Sequence, residues 1–213
     1  MTIYENLYRD IHKDPELSGV ESHTASLISS HLSFLADFVV HTNIGGNGLV
    51  GALRNGAGKT VLIRAELDAL PTLEKTNLPY ASRKRMVDRY ENERPVMHAC
   101  GHDMNMVPLF TAAETLRAAG SEWSGTLIVL FQPDEEETGG AKVIIHDGLS
   151  AKVPIPDIMI AQHVTPIQSG LVAIEEGPVL MAADSLNVRV SGGGRVQDQT
   201  PISVEIRSLW QTK

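Results

Sequence analysis

The sequence predicts an α/β fold, a mostly parallel sheet with helices on both faces. Two observations carry this. Short β-rich apolar runs alternate along the chain with stretches of helical periodicity, which is the pattern of strand–helix–strand units. One of those runs, Gly125 to Phe131 (GTLIVLF), is apolar almost throughout, as expected of a strand buried on both faces. A chain of 213 residues can enclose one sizeable core, or a domain and a fragment.

Residues 3–12 and 20–37 read as two helices, separated by Asp14-Pro15 and Gly19. In the second, Ala25, Leu27, Ile28, Leu32 and Leu35 recur at helical spacing. His12, His23 and His31 read as surface or packing residues, with no cluster of acids or histidines around them. A strand pair follows, Phe38 to Thr42 and Gly48 to Leu53, joined by the turn Ile44-Gly45-Gly46-Asn47. The glycines at 56 and 58 precede Lys59-Thr60 but lack the spacing of a phosphate loop, so a turn is expected.

Thr60 to Leu67 (TVLIRAEL) is a strand running into Asp68-Ala69-Leu70-Pro71. Residues 72–96 are polar and of mixed charge, the composition of a surface loop. A helix is expected from Asp103 to Ala119, stopped by Gly120, with Pro108 in or near its first turns. After Gly125 to Phe131, Gly139 to His146 reads as a helix closed by Gly148. Ile158 to Ala161, Leu171 to Ile174 and Leu186 to Val190 read as strands, and an alternating piece spans Ile202 to Ile206.

Composition narrows the function. The chain is 42% hydrophobic and 21% charged, ordinary for a globular protein. Its net charge of −8, with no compensating basic block, argues against a nucleic-acid partner. One cysteine cannot form an internal disulfide. The N-terminus lacks an apolar run of signal-peptide length, and no run reaches the ~18 residues of a membrane span. The expectation is a cytoplasmic protein with no membrane partner.

The chemistry-bearing residues cluster at strand ends. Met97-His98-Ala99-Cys100-Gly101-His102-Asp103 holds the only cysteine, two histidines and a carboxylate. Thiolate, imidazole and carboxylate are the donors that hold zinc and related ions. Cys100 and His102 are too close in sequence to share a helix face, so a tight loop must present them. One buried-looking strand ends at Asp68, another at Glu135-Glu136, a third at His163. If these strands are parallel, all four groups reach one sheet edge, where α/β folds bind ligands. Adjacent carboxylates can divide labour, one as metal ligand and one as general base.

The pieces IHKDPELSGVE, IRAELDALP, YAS, VMHACGHD, FQPDEEETGGAKVIIHDGL and QHVTP occur in this order. With them the chain resembles the metal-dependent aminoacylase/carboxypeptidase family, in the branch of hippurate hydrolase and the plant auxin-conjugate hydrolases. The resemblance covers roughly residues 5 to 190. It implies a catalytic α/β domain, here residues 1–182, and the first strand of a lid and dimerisation domain with an altered tail, residues 183–213. It implies one or two divalent ions, zinc or manganese, held by Cys100, His102, Glu136 and His163. Glu135 falls in the general-base position, and Asp68 in that of an acid that orients a ligand. The implied reaction is hydrolysis of the amide bond of an N-acyl amino acid or related conjugate by metal-activated water, and a homodimer is implied for a full-length form.

The chain departs from the family pattern in several places. Glu66 stands where Asp is more usual, Asn105 replaces the histidine of CGHDxH, and Glu137-Thr138 replace glycines. Arg195 follows the glycines at 192–194 where the family has a glycine–histidine motif, and no histidine follows His163. The sequence therefore reads as the N-terminal half of such an enzyme, expected to be a poor catalyst by itself. The competing readings are a non-catalytic fragment that keeps a partial metal site, and a thiol hydrolase using Cys100.

Overall fold

The computed structural model describes residues 2–174, 176–177, 184–189 and 203–208, the last two segments as backbone. Helix α1 (Ile3–Lys13) opens with a capping box in which Thr2 and Glu5 satisfy each other's backbone N–H groups. Helix α2 (Ser22–Phe34) is capped from a distance, because buried Glu16 accepts the N–H groups of His23 and Thr24. Strands β1 (Val39–Ile44), β2 (Gly48–Asn55) and β3 (Thr60–Glu66) follow. Within the stretch expected to be a loop, β4 (Arg85–Val87) and β5 (Glu93–Pro95) form a small hairpin. Then come α3 (His102–Ala118), β6 (Gly125–Gln132), α4 (Gly140–His146), α5 (Leu149–Lys152), β7 (Ile158–Ala161), β8 (Asp184–Arg189) and β9 (Ser203–Ser208).

Five strands make the central sheet in the order β1-β2-β6-β3-β7. β6, β3 and β7 pair in parallel, while β2 runs against both its neighbours. Four strands therefore point one way, and the predicted α/β class holds. On one face, Leu49, Leu53, Ala65, Val129 and Phe131 pack with α1, α2 and α3. On the other, Val50, Leu62, Ile128 and Leu130 pack against Ile144 of α4 and Val153. β6 is buried from Leu127 to Gln132 because helices cover both its faces. The chain leaves β3 through α3 to reach β6, then returns past β3 to β7. The sheet order thus reverses at β3, and the crevice for a ligand opens at its carboxyl end.

Three expectations change. β7, apolar enough to be expected in the interior, is exposed along its length, since among the described residues it is an edge strand. Leu171 to Ile174 is not a strand: it has no ladder partner among the described residues, and β propensity alone does not hold extended backbone. His12, read as a surface or packing residue with no acids around it, is buried between two carboxylates. Pro108 does lie near the start of α3, in its second turn and on its exposed side.

The chain forms two compact units, residues 1–165 and 166–213. In the second, β8 and β9 pair antiparallel, from Asp184 with Ser208 to Arg189 with Ser203. The tail substitution at Arg195 lies outside the described residues. Among the described residues, no helix is long and apolar enough to cross a membrane.

Candidate metal centre

The carboxyl ends of β3, β6 and β7 lie side by side, and each strand delivers a group just beyond its last residue. β3 leads to Asp68, β6 to Glu135 and Glu136, β7 to His163. The fourth segment is tied in by main-chain hydrogen bonds. Leu70 and Met97 exchange N–H···O contacts of 3.0 and 3.1 Å, so the Cys100 loop runs beside the segment that follows Asp68. Gly101 then turns the chain into α3 from a left-handed conformation, φ +84°. That conformation favours glycine. A Cβ there would also stand 2.4 Å from Cγ2 of Val164, so the absence of a side chain lets the His163 segment lie on the Cys100 loop.

The result is two overlapping groups of donors. Cys100, His102 and His163 form one, and His102, Glu135 and Glu136 form the other; within each, all donor atoms lie within 4.8 Å of one another. Cys100 Sγ is 3.3 Å from His163 Nε2. His102 Nε2 is 3.7 Å from a Glu135 oxygen and 4.0 Å from Glu136 Oε1. The two imidazoles meet nearly edge to face. Both expose the same nitrogen. His102 Nδ1 donates to the main-chain carbonyl of Asp68 at 2.9 Å, and His163 Nδ1 to that of Val164 at 2.6 Å, which leaves each Nε2 free as a donor to an ion.

Asp68 supports the site from behind. It is fully buried, and its Oδ2 accepts from the Ser18 hydroxyl at 2.8 Å and from the N–H of Glu136 at 2.9 Å. Burial alone would raise its pKa. The His102 ring, the Glu136 N–H and Ser18 outweigh burial and hold it below the usual range. The His102 ring feels the reverse. Burial opposes its charge, but Asp68, Cys100 and Glu66 prevail and push its pKa up to about 11. The surroundings of His102 are thus strongly negative. Glu135 is raised, first by burial and then by Glu136, Asp68 and Glu66, against the pull of His102.

These residues fit a divalent cation. His102 Nε2 and Glu136 Oε1 are buried without any hydrogen-bond partner, although native interiors rarely leave such atoms unpaired. Both belong to the donor cluster, and a thiolate, two imidazoles and carboxylates suit zinc or a similar ion. Cys100, His102, Glu135, Glu136 and His163 are brought together, while Asp68 touches the cluster through His102 and Glu136.

Some supporting residues escape the sequence reading. Glu21, fully buried, accepts the Asp134 N–H at 2.8 Å and so pins the loop that carries Glu135. His12 grips Asp103 beside His102. The signal for Glu21 was the motif IHKDPELSGVE that ends on it. His12 stands in the same motif, but its partners lie 62 and 91 residues away and no local pattern points to them.

Residues 62–210 match the peptidase family M20/M25/M40. The chain is 39% identical to the hippurate hydrolase of Campylobacter jejuni over 193 residues, 90% of this chain and 47% of that one. It is 34% identical to an N-acetyl-L-cysteine deacetylase of Bacillus subtilis over 187 residues, 87% of this chain and 42% of that one. It thus spans less than half the length of these curated relatives. Among solved structures, a dinuclear metal-binding peptidase of the M20 family from Bacillus subtilis superposes with a TM-score of 0.66 at 31% identity, over 76% of this chain and 42% of that one.

Proposed function

The chain belongs to peptidase family M20/M25/M40, and from that premise we propose that it carries the metal-binding and water-activating part of an amidohydrolase that cleaves N-acyl amino acids or related conjugates. The observation that carries this reading is the convergence of Cys100, His102, His163, Glu135 and Glu136 from two strand ends and one loop. Cys100, His102, Glu136 and His163 would hold one or two divalent ions, zinc or manganese. When bound, the metal supplies Lewis acidity toward water and the scissile carbonyl.

The protein's own residues do the rest. Glu135 is the general base: its side chain is 38% exposed toward the crevice, against 14% for Glu136, so it can reach a substrate while its neighbour stays a ligand. Its raised pKa moves it toward neutrality, where a carboxylate serves better as base and then as acid. Glu135 takes a proton from the attacking water as the new C–O bond forms. It returns that proton to the amine nitrogen as the C–N bond breaks, giving a carboxylic acid and a free amine. Asp68 fixes the tautomer and orientation of His102 throughout. The substrate class rests on the hippurate hydrolase and deacetylase relatives, both named for N-acyl amino acids. The homodimer and the cytoplasmic location implied by the sequence remain part of this proposal.

The test is elemental analysis of the purified protein together with hydrolysis of N-acyl amino acids, with and without a chelator. One or two ions per chain, and slow hydrolysis that chelation abolishes, are expected. Hydrolysis that survives chelation would favour Cys100 as a nucleophile, and tight metal without turnover on any N-acyl amino acid would favour a non-catalytic metal-binding chain.

A further inference from the structure

His163 reaches the site from the least supported strand of the sheet. Among the described residues β7 is an exposed edge strand, tied to the sheet only by β3, and that ladder ends at Ala161, before His163. Something else must hold it. Asn105, in the first turn of α3 and buried, is used on both sides. Its Oδ1 accepts the N–H of Val164 at 3.3 Å, and its main-chain carbonyl accepts Gln162 Nε2 at 3.4 Å. These two contacts bracket His163. In the other direction, Asn105 Nδ2 donates to Glu66 Oε2 at 3.0 Å.

Glu66 is itself immobilised. It is buried at the end of β3, its Oε1 pairs with Arg64 at 2.5 Å, and Arg64 donates to Gln132 Oε1 at the end of β6 at 2.6 Å. A continuous polar chain therefore crosses the carboxyl ends of the three parallel strands: Gln132, Arg64, Glu66, Asn105, and then the residues on either side of His163. None of these residues belongs to the donor cluster. An amide whose oxygen is committed to Val164 and whose nitrogen is committed to a buried carboxylate has no freedom to flip. Its orientation, and the position of the Val164 N–H, are then set by Glu66.

We propose that Asn105, locked by Glu66, is a positioning residue for His163, and that positions 66 and 105 work as one coupled acid–amide unit. The two positions are both departures from the family pattern, and the structure shows them in contact. Glu is one methylene longer than Asp, and Asn is shorter than His, so the two changes act on the span between β3 and the His163 segment in opposite directions. The proposal rests on the metal-centre reading only in taking His163 as a ligand.

The test compares Glu66→Asp, Asn105→Ala, Asn105→His and the double variant Glu66→Asp/Asn105→His with the parent protein. Two readouts are used: zinc affinity by competition titration, and the imidazole ¹⁵N resonances of His163 in the metal-free protein. Each single variant should weaken zinc binding about 10- to 100-fold, as loss of support behind a metal ligand does, and should shift the His163 resonances. The double variant should restore both to near the parent values, which a merely destabilising effect would not do; Glu66→Asp serves if Asn105→Ala does not fold. Single variants that leave His163 and zinc affinity unchanged, or losses that simply multiply in the double variant, would overturn the proposal. If the parent protein binds no zinc, the metal-centre reading fails, and the His163 resonances alone decide whether Asn105 positions that ring.

Discussion

His12 Nδ1 stands 2.6 Å from Asp103 Oδ2, a buried contact between residues 91 positions apart. The other ring nitrogen of His12 is 3.1 Å from Glu74 Oε1. One imidazole ring thus bridges two carboxylates and fastens α1 and the segment after β3 to the start of α3, next to His102.

This bridge makes stability depend on pH. Asp103 raises the His12 pKa, burial opposes it, and Glu74 adds to the rise. A raised histidine contributes stability that is fully present below the unfolded value of about 6.5 and is lost as pH rises through the folded value. His12→Asn should cost about 3–5 kcal/mol at pH 6, because it leaves two buried carboxylates without a cation. Urea unfolding at pH 6 and at pH 9 should show the gap to the parent protein narrowing at the higher pH. An equal gap at both would mean that His12 is neutral in the folded protein.

Gly101→Ala should damage the site through backbone and packing together. A left-handed alanine costs about 1–2 kcal/mol, and the new Cβ would meet Val164 Cγ2 at 2.4 Å. Thermal unfolding should show a loss of about 2–4 kcal/mol once overpacking is included, with weaker zinc binding. Adding Val164→Ala should recover the packing part and not the backbone part. Full recovery would show that backbone conformation contributes nothing.

Glu135→Gln and Glu136→Gln should separate the two roles. The first should keep metal content near that of the parent and lower turnover about 10²- to 10⁴-fold. The second removes a charge from the buried, unpartnered Glu136 Oε1 position and should lose metal. Equal metal loss from both would reject the division of labour.

Thr138 adopts φ +62°, in the turn where Thr138 N–H donates to the Glu135 carbonyl at 2.8 Å. A β-branched residue is strained there. Thr138→Gly should relieve about 1–2 kcal/mol of strain against about 0.5–1 kcal/mol of added chain entropy. A net gain of up to ~1 kcal/mol in chemical denaturation is expected. Destabilisation would mean that the threonine side chain makes a compensating contact.

The sequence by itself determined the sheet, the helices on its faces and the residues that meet at its edge. Those readings depend on local information: apolar period, β-rich runs that end in acids or histidine, and a Cys-Gly-His loop too tight for a helix face. GTLIVLF shows its burial in its own composition, and Glu135 and Glu136 follow it after Gln132-Pro133-Asp134.

Only the tertiary structure decided how those residues are held. β7 looks like an interior strand in sequence because Ile158, Met159 and Ile160 are apolar, but its place at the sheet edge leaves it exposed. His12 looks like a surface residue until Asp103 and Glu74 arrive from 91 and 62 residues away. Glu66 and Asn105 look like two unrelated departures, and they become one pair when the first turn of α3 packs over the end of β3. The physical reason is common to all three. Burial of a charge or an amide is tolerated only with a partner, and that partner is chosen by folding rather than by sequence neighbourhood.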